Sequence, residues 1–264
     1  LILWGRRIHP HPLFETLAYF IAFWVYFYLR RRCGDPISVP LRWTVVACAT
    51  AGAALGSKLL YWMEDPTLAL QHLHDPRFLL GGKTIVGALI GGLMAVEFIK
   101  QQIGQHRSTG DLFAVPLALG IAIGRIGCFL TGLSDNTYGT PTSLPWGIDF
   151  GDGVLRHPTQ LYEIIYLLAL VPVLYRIMIR IGSANLGSRL ARWQPGDAFK
   201  LFMVSYLGFR VFCDSIKPYP HFALGLGSIQ WACVLVLLYY ARDIYRWVKP
   251  LTTTHQSKKL QRSF

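Results

Sequence analysis

The chain has 264 residues, of which 53% are hydrophobic, 14% aromatic and only 15% charged, and its formal net charge is +12. A soluble domain usually carries about a quarter charged residues. That shortfall, with a mean hydropathy of +0.37, excludes a soluble enzyme, a disordered chain and a small disulfide scaffold. The five cysteines form no CxxC pair. Cys48, Cys128, Cys213 and Cys233 sit in apolar runs and Cys33 follows an arginine cluster, so all five read as small buried thiols.

Apolar segments at 13–29, 43–63, 84–99, 112–130, 161–179, 199–216 and 229–245 predict an all-α polytopic membrane protein with seven transmembrane helices. They are expected to form one domain over residues 1–250, followed by a basic cytoplasmic tail over 251–264. The first segment lacks a basic lead and a small-residue cleavage site, and Arg30, Arg31 and Arg32 follow it, so it reads as a retained span. The connections alternate in charge. Arg30, Arg31, Arg32, Arg42, Lys100, Arg107, Arg180, Arg189, Arg192, Arg246 and Lys249 lie on one side, and Glu64, Asp65, Asp75, Asp135, Asp149 and Asp152 on the other. The positive-inside rule then puts the N-terminus in the periplasm and the tail in the cytoplasm. Topology accounts for most of the surplus charge, so no nucleic-acid partner is expected.

Gly52/Gly56, Gly87/Gly91 and Gly120/Gly124 have the spacing that lets helices approach closely. Spans two, four and six each hold a cation short of the periplasmic end: Lys58, Arg125 and Arg210. A rise of 1.5 Å per residue places each about 8–9 Å below the boundary, and Lys83 opens span three on the same side. Three cations at one depth repel one another unless an anion sits among them, and guanidinium forks suit phosphate. Glu15, Glu163 and Asp214 are acidic groups of the same layer. His9-Pro-His-Pro-Leu-Phe-Glu15 and His157-Pro-Thr-Gln-Leu-Tyr-Glu163 read alike, either as an internal echo or as two good helix starts. The loop 131–160, carrying Asp135, Asn136, Tyr138, Gly139 and Trp146, is long enough to be functional and reads as an ordered cover. No Walker loop, HExxH, GxSxG or zinc spacing occurs, so neither a metal nor another cofactor is expected.

Gly124-Arg-Ile-Gly-Cys-Phe-Leu-Thr-Gly132 leading to Tyr138-Gly139, followed by Arg156-His-Pro-Thr-Gln-Leu-Tyr-Glu163, resembles the prolipoprotein diacylglyceryl transferase family. Gly-Phe-Arg210 with Asp214, Gly81-Gly82 before span three and Ser-Ile-Gln230 opening span seven extend the resemblance over nearly the whole chain. It implies a bacterial inner-membrane enzyme that moves the diacylglyceryl group of phosphatidylglycerol to a lipobox cysteine of prolipoproteins and releases glycerol phosphate. Arg125 and Arg210 match the family's essential arginines. His157, Gln160 and Glu163 match its second motif, and Lys58 stands where an arginine is usual. On this basis Arg125, Arg210, Glu15, His157 and Glu163 are the expected catalytic residues. Lys58, Lys83, Asp135, Asn136, Tyr138, Gly139, Gln160, Asp214 and Gln230 are expected to bind substrate. The chain departs from the family pattern at three places. Val86 replaces a histidine, Glu15 a tyrosine, and Cys128 and Thr131 two asparagines. A thiol acceptor needs a base, which leaves Glu15 or a histidine of the HP motifs for that task. Two alternatives stay open: the same lipid donor with a different acceptor, and a non-enzymatic lipid-binding or transport protein.

Overall fold

The computed structural model describes residues 2–3, 6–7, 9–183, 193–220 and 222–249. The expected basic tail over 251–264, and Arg189 and Arg192, lie outside the described residues. A short antiparallel pair, β1 (Ile2–Leu3) and β2 (Arg6–Arg7), sets Ile2 opposite Arg7. The helices α1 (Pro10–Cys33), α2 (Val39–Trp62), α3 (Pro66–Gln71), α4 (Pro76–Leu80), α5 (Ile85–Gln102) and α6 (Asp111–Thr131) follow. After a 3-10 turn at Gly132–Asp135 comes a hairpin of β3 (Ile148–Asp149) and β4 (Leu155–Arg156). The chain then forms α7 (Thr159–Ser183), α8 (Asp197–Asp214), α9 (Ser228–Tyr239) and α10 (Ala241–Val248).

Local chemistry sets the helix starts. Prolines open α1, α3 and α4 and sit in the first turn of α2, where a missing N–H removes no helical bond. The Asp65 carboxylate accepts the Leu68 N–H ahead of α3, and the Thr84 hydroxyl accepts the Gly87 N–H at the head of α5.

Among the described residues, α1, α2, α5, α6 and α7 are long and apolar enough to cross a membrane. The sixth and seventh predicted spans fall short of that standard. α8 has 18 residues but carries Asp197, Lys200, Arg210 and Asp214, and the seventh segment divides at Tyr240 into α9 and α10. The charge of α8 is tolerated because its inner face packs on protein: Ala198, Phe202, Met203, Tyr206 and Leu207 are all 0% exposed, against α6, α7 and α9. Exposed apolar side chains include Phe212 on the outer face of α8, Tyr19, Phe20, Phe23 and Trp24 on α1 and Met94 and Phe98 on α5. Such a surface has the chemistry of lipid contact.

Two of the three glycine pairs bring helices together. A Cβ on Gly56 would stand 2.4 Å from the Gly87 carbonyl oxygen, and one on Gly91 2.2 Å from that of Gly52, so α2 and α5 touch backbone to backbone. The third pair behaves differently: Gly120 makes ordinary contact with Ala18 and Ala22 of α1, and Gly124 has nothing within 4 Å.

At the end of the bundle away from Arg125, several cations counted as topological charge are structural. Arg42 is 1% exposed and donates to Asp35 and to the Thr109 carbonyl. Arg30 pairs with the same Asp35, and Arg246 with Asp197 and Asp243. Asp111, at the head of α6, accepts the N–H groups of Gly196, Ala198 and Phe199 and fixes the entry of α8.

Candidate active site

The ends of α6 and α8 and the start of α7 converge on one polar layer. Arg125 lies in the penultimate turn of α6, Glu163 in the second turn of α7, and Arg210 and Asp214 one turn apart at the end of α8. Arg125 Nε stands 2.8 Å from Glu163 Oε2. This is an ionic contact rather than a hydrogen bond, because the Nε–H is not aimed at the carboxylate and has no acceptor among the described residues. Tyr206 donates its hydroxyl to Glu163 Oε1 at 2.6 Å, and Arg210 Nη1 reaches the same hydroxyl at 3.5 Å. Arg210 clasps Asp214 through Nε and Nη2 at 2.9–3.2 Å, and Lys217 closes the chain on Asp214 Oδ1 at 3.0 Å.

Arg125, Glu163, Arg210, Asp214 and Lys217 are each at most 5% exposed. The repulsion expected among cations at one depth is therefore relieved by the chain's own carboxylates. Three cations face two anions along this connected network, leaving one positive charge in surplus while Glu64, which faces Arg210, Asp214 and Lys217, keeps its proton. A buried surplus charge is expensive unless a partner answers it.

A second group sits where α1 starts. Glu15 pairs with Lys83, accepts the Tyr19 hydroxyl at 3.0 Å and lies 3.8 Å from His11 Nε2. His11 Nδ1 is 2.9 Å from Asp135 Oδ1 and 3.8 Å from Cys128 Sγ, and Arg125 Nη1 is 3.9 Å from that sulfur. The two groups thus meet at the end of α6. Gly127 permits this: a Cβ there would come within 2.8 Å of Phe14 Cβ and 3.3 Å of His11 Cα.

The two HP motifs reach different ends. Both open helices, but Glu163 is buried between α6 and α8 while the Glu15 side chain keeps 29% exposure at the edge of the bundle. Among the described histidines, His11 is the one that reaches Glu15. His157 meets the Tyr162 hydroxyl at 3.2 Å, and Trp146 donates to that hydroxyl at 2.8 Å.

The loop 131–160 is ordered. Asp149 Oδ1 accepts the N–H groups of Gly151, Asp152 and Gly153 at the hairpin tip. Gly139 threads between His157 and Ile216, where a Cβ would stand 2.6 Å from His157 Cβ. Its N–H donates to the His157 carbonyl and that of Thr140 to the Ile216 carbonyl, tying the loop to the start of α7 and the end of α8. Tyr138 packs under the Arg156 guanidinium at 5.0 Å, and Asn136 takes a left-handed turn conformation after the 3-10 turn. Gln160 donates to Thr137 at 3.2 Å, while its buried Oε1 accepts nothing among the described residues.

Other expected binding residues have structural employment. Lys58 donates to the carbonyls of Gly81 and Gly82 at 2.5 and 2.6 Å, clamping the turn before α5. Gln230 accepts the Gly227 N–H and donates to the Val211 carbonyl and Ser215 hydroxyl, fastening α9 to α8. Val86, where the resemblance leads one to expect a histidine, is 0% exposed in the apolar core with Leu60 and Leu89.

Sequence reasoning passed over Tyr206 and Lys217, weighed His11 only as one of the HP-motif histidines, and took Glu64 only as a loop charge. Tyr206 and Lys217 lie four residues before Arg210 and three after Asp214. Such helical neighbours could have been found from spacing alone. Glu64, just past α2, borders a cleft with Asp214, Tyr219 and Gln230. Burial pushes its carboxyl up to about 7, with Asp214 reinforcing the shift and Arg210 and Lys217 opposing it.

A family model described as prolipoprotein diacylglyceryl transferase matches residues 2–246. The phosphatidylglycerol–prolipoprotein diacylglyceryl transferase of Campylobacter lari is 24% identical over 265 residues, covering 92% of each chain. That of Nitrosomonas europaea is 33% identical over 207 residues, 72% of this chain and 68% of its own, and that of Bordetella parapertussis is 28% identical over 255 residues, 88% and 90%. Matched over nearly its whole length, the chain belongs to the prolipoprotein diacylglyceryl transferase family.

Proposed function

We propose that this protein transfers the diacylglyceryl group of phosphatidylglycerol to the lipobox cysteine of prolipoproteins. The observation that carries this is the surplus positive charge of the Arg125–Glu163–Tyr206–Arg210–Asp214–Lys217 network, which matches the single negative charge of a phosphodiester. The Arg125 Nε–H is a buried donor awaiting an acceptor, and Gln160 Oε1 a buried acceptor awaiting a donor such as a headgroup hydroxyl. In the reaction the acceptor sulfur bonds to the glyceryl carbon and the carbon–oxygen bond to phosphate breaks. The electron pair leaves on the phosphate oxygen, and the thiol proton passes to a base. Arg125 and Arg210, held rigid by Glu163 and Asp214, stabilise the charge growing on that oxygen. Val86 offers no base, so Glu15, partly exposed and poised by Lys83, Tyr19 and His11, takes the proton.

The same reading makes residues 1–250 one transmembrane domain in the bacterial inner membrane, with the N-terminus and active site facing the periplasm. α8 is its sixth span, and α9 with α10, 12 and 8 residues end to end, its seventh. The charge alternation of the connections supports this orientation.

The test incubates purified protein with labelled phosphatidylglycerol and a lipobox peptide. The expected result is diacylglyceryl-modified peptide and released glycerol phosphate, both reduced about 10²–10³-fold by Arg125→Ala. Glycerol phosphate released beside unmodified peptide would assign the chain another acceptor. No turnover of phosphatidylglycerol would refute the enzymatic function and leave lipid binding or transport.

A further inference from the structure

His11, Cys128 and Asp135 come from three elements: the first turn of α1, the last turn of α6 and the end of the 3-10 turn. Their donor atoms lie within 4.8 Å of one another. The usual reason for a Cys–His–Asp grouping is a nucleophile relay, in which the thiol and the carboxylate address opposite nitrogens of the imidazole. Here both address the same one: Nδ1 is 3.8 Å from Cys128 Sγ and 2.9 Å from Asp135 Oδ1. Three donors from three elements thus gather at one edge of the ring, with Glu15 at the other nitrogen. Such a gathering fits a metal ion.

The dimensions agree. Zinc bonds of about 2.0–2.3 Å in a tetrahedron give donor separations of about 3.3–3.6 Å, and the observed 2.9 and 3.8 Å bracket that range. The surroundings supply what a metal ligand set needs. Asp135 Oδ2 accepts the Thr137 hydroxyl at 2.5 Å, which turns Oδ1 toward His11. His11 presents its other nitrogen, Nε2, to Glu15 Oε2 at 3.8 Å, and Glu15 is held by Lys83 and Tyr19. A carboxylate behind a ligating imidazole is the recurrent outer-shell arrangement that fixes the ring. The charges agree too. The Asp135 side chain is 7% exposed and no Lys or Arg among the described residues pairs with it. One carboxylate and one thiolate balance a divalent ion.

We propose that His11, Cys128 and Asp135 bind a zinc-class divalent ion whose fourth position is open to an incoming thiol. Three protein ligands with one open position is the pattern of catalytic rather than structural zinc sites. The ion would lower an entering thiol's hold on its proton, which Glu15 would take, and the sulfur would bond to the glyceryl carbon as the carbon–oxygen bond to phosphate breaks. The site would thus supply, beside Arg125, the activation that Val86 cannot. The thiol assignment rests on the transferase function proposed above. The metal assignment does not.

The experiment measures metal content and Co²⁺ spectra of the full chain in detergent. The expected result is about one ion per chain and a near-ultraviolet thiolate-to-cobalt band that zinc competes away. Cys128→Ser abolishes the band, His11→Gln and Asp135→Asn lower affinity, Glu15→Gln lowers it about 10–100-fold, and Cys48→Ser changes nothing. A lipobox peptide alters the visible cobalt bands, and its serine analogue does not. Absence of the thiolate band in the unmodified chain overturns the site, whether or not variants fold, and reduces the cluster to a His11–Asp135 ion pair. Bound metal with no peptide response overturns the thiol assignment. Peptide acylation by metal-free protein refutes the inference and leaves the transferase function standing. Bound metal without phosphatidylglycerol turnover does the reverse.

Discussion

Replacing Glu163 by Gln removes one of the two carboxylates that hold the buried cations while preserving its shape. Glu163 is 1% exposed and Arg125 5%, with Nε and Oε2 2.8 Å apart. Breaking such a pair from one side strands the other charge and costs about 3–5 kcal/mol. The Tyr206 hydroxyl, 2.6 Å from Oε1, makes a charge-assisted bond of about 1.5–3 kcal/mol, so Tyr206→Phe should lose that amount. The two changes act on one carboxylate, and the double variant should therefore lose less than the sum of the singles. Thermal unfolding in detergent reads this as a fall of roughly 6–20 °C for Glu163→Gln at about 2–4 °C per kcal/mol. The peptide-acylation assay should lose rate as Arg125 loses its orientation. A midpoint within about 2 °C of the parent, or single effects that add within about 0.5 kcal/mol, would refute the network described above.

Gly56→Ala places a methyl group 2.4 Å from the Gly87 carbonyl oxygen and should lower stability by about 1–3 kcal/mol, while Gly124→Ala, facing open space, should leave the melting curve in place. Equal effects of the two would refute the backbone contact of α2 and α5. Asp35→Asn strips the carboxylate from Arg42, which is 1% exposed, and should cost about 3–5 kcal/mol; KM for phosphatidylglycerol should not move, since the pair lies at the opposite end of the bundle. Glu64, facing Arg210, Asp214 and Lys217, holds its proton more tightly folded, with a pKa of about 7, than unfolded, at the ordinary 4.5. Its contribution is full below pH 4.5 and is lost as pH rises through 7, by up to about 3 kcal/mol. Unfolding followed from pH 4 to 8 checks this, and a Glu64→Gln variant that keeps the same slope would refute the assignment.

The sequence by itself determined the class, the helices and the family. Apolar runs of near-spanning length, prolines at helix starts and glycines four apart are local signals. The structure keeps them as α1, α2, α5, α6 and α7 and as the α2–α5 contact. That Arg125, Arg210 and Glu163 share one layer was equally legible, because rise per residue converts position into height along each helix. Rotation about each helix axis, and which helix neighbours which, is set by packing between segments far apart in the chain. That is why α8 could carry four charges and still bury Asp197, Arg210 and Asp214 on its inner face, and why Arg42, which reads as loop charge, is buried under Asp35 and Thr109. The same cause hid the His11–Cys128–Asp135 cluster. His11 and Cys128 stand 117 positions apart, so no spacing motif could register them. Their meeting depends on Gly127 letting the first turn of α1 rest against the end of α6. Local periodicity gives each residue its height in the bundle, but only the packed helices decide which side chains face one another at that height.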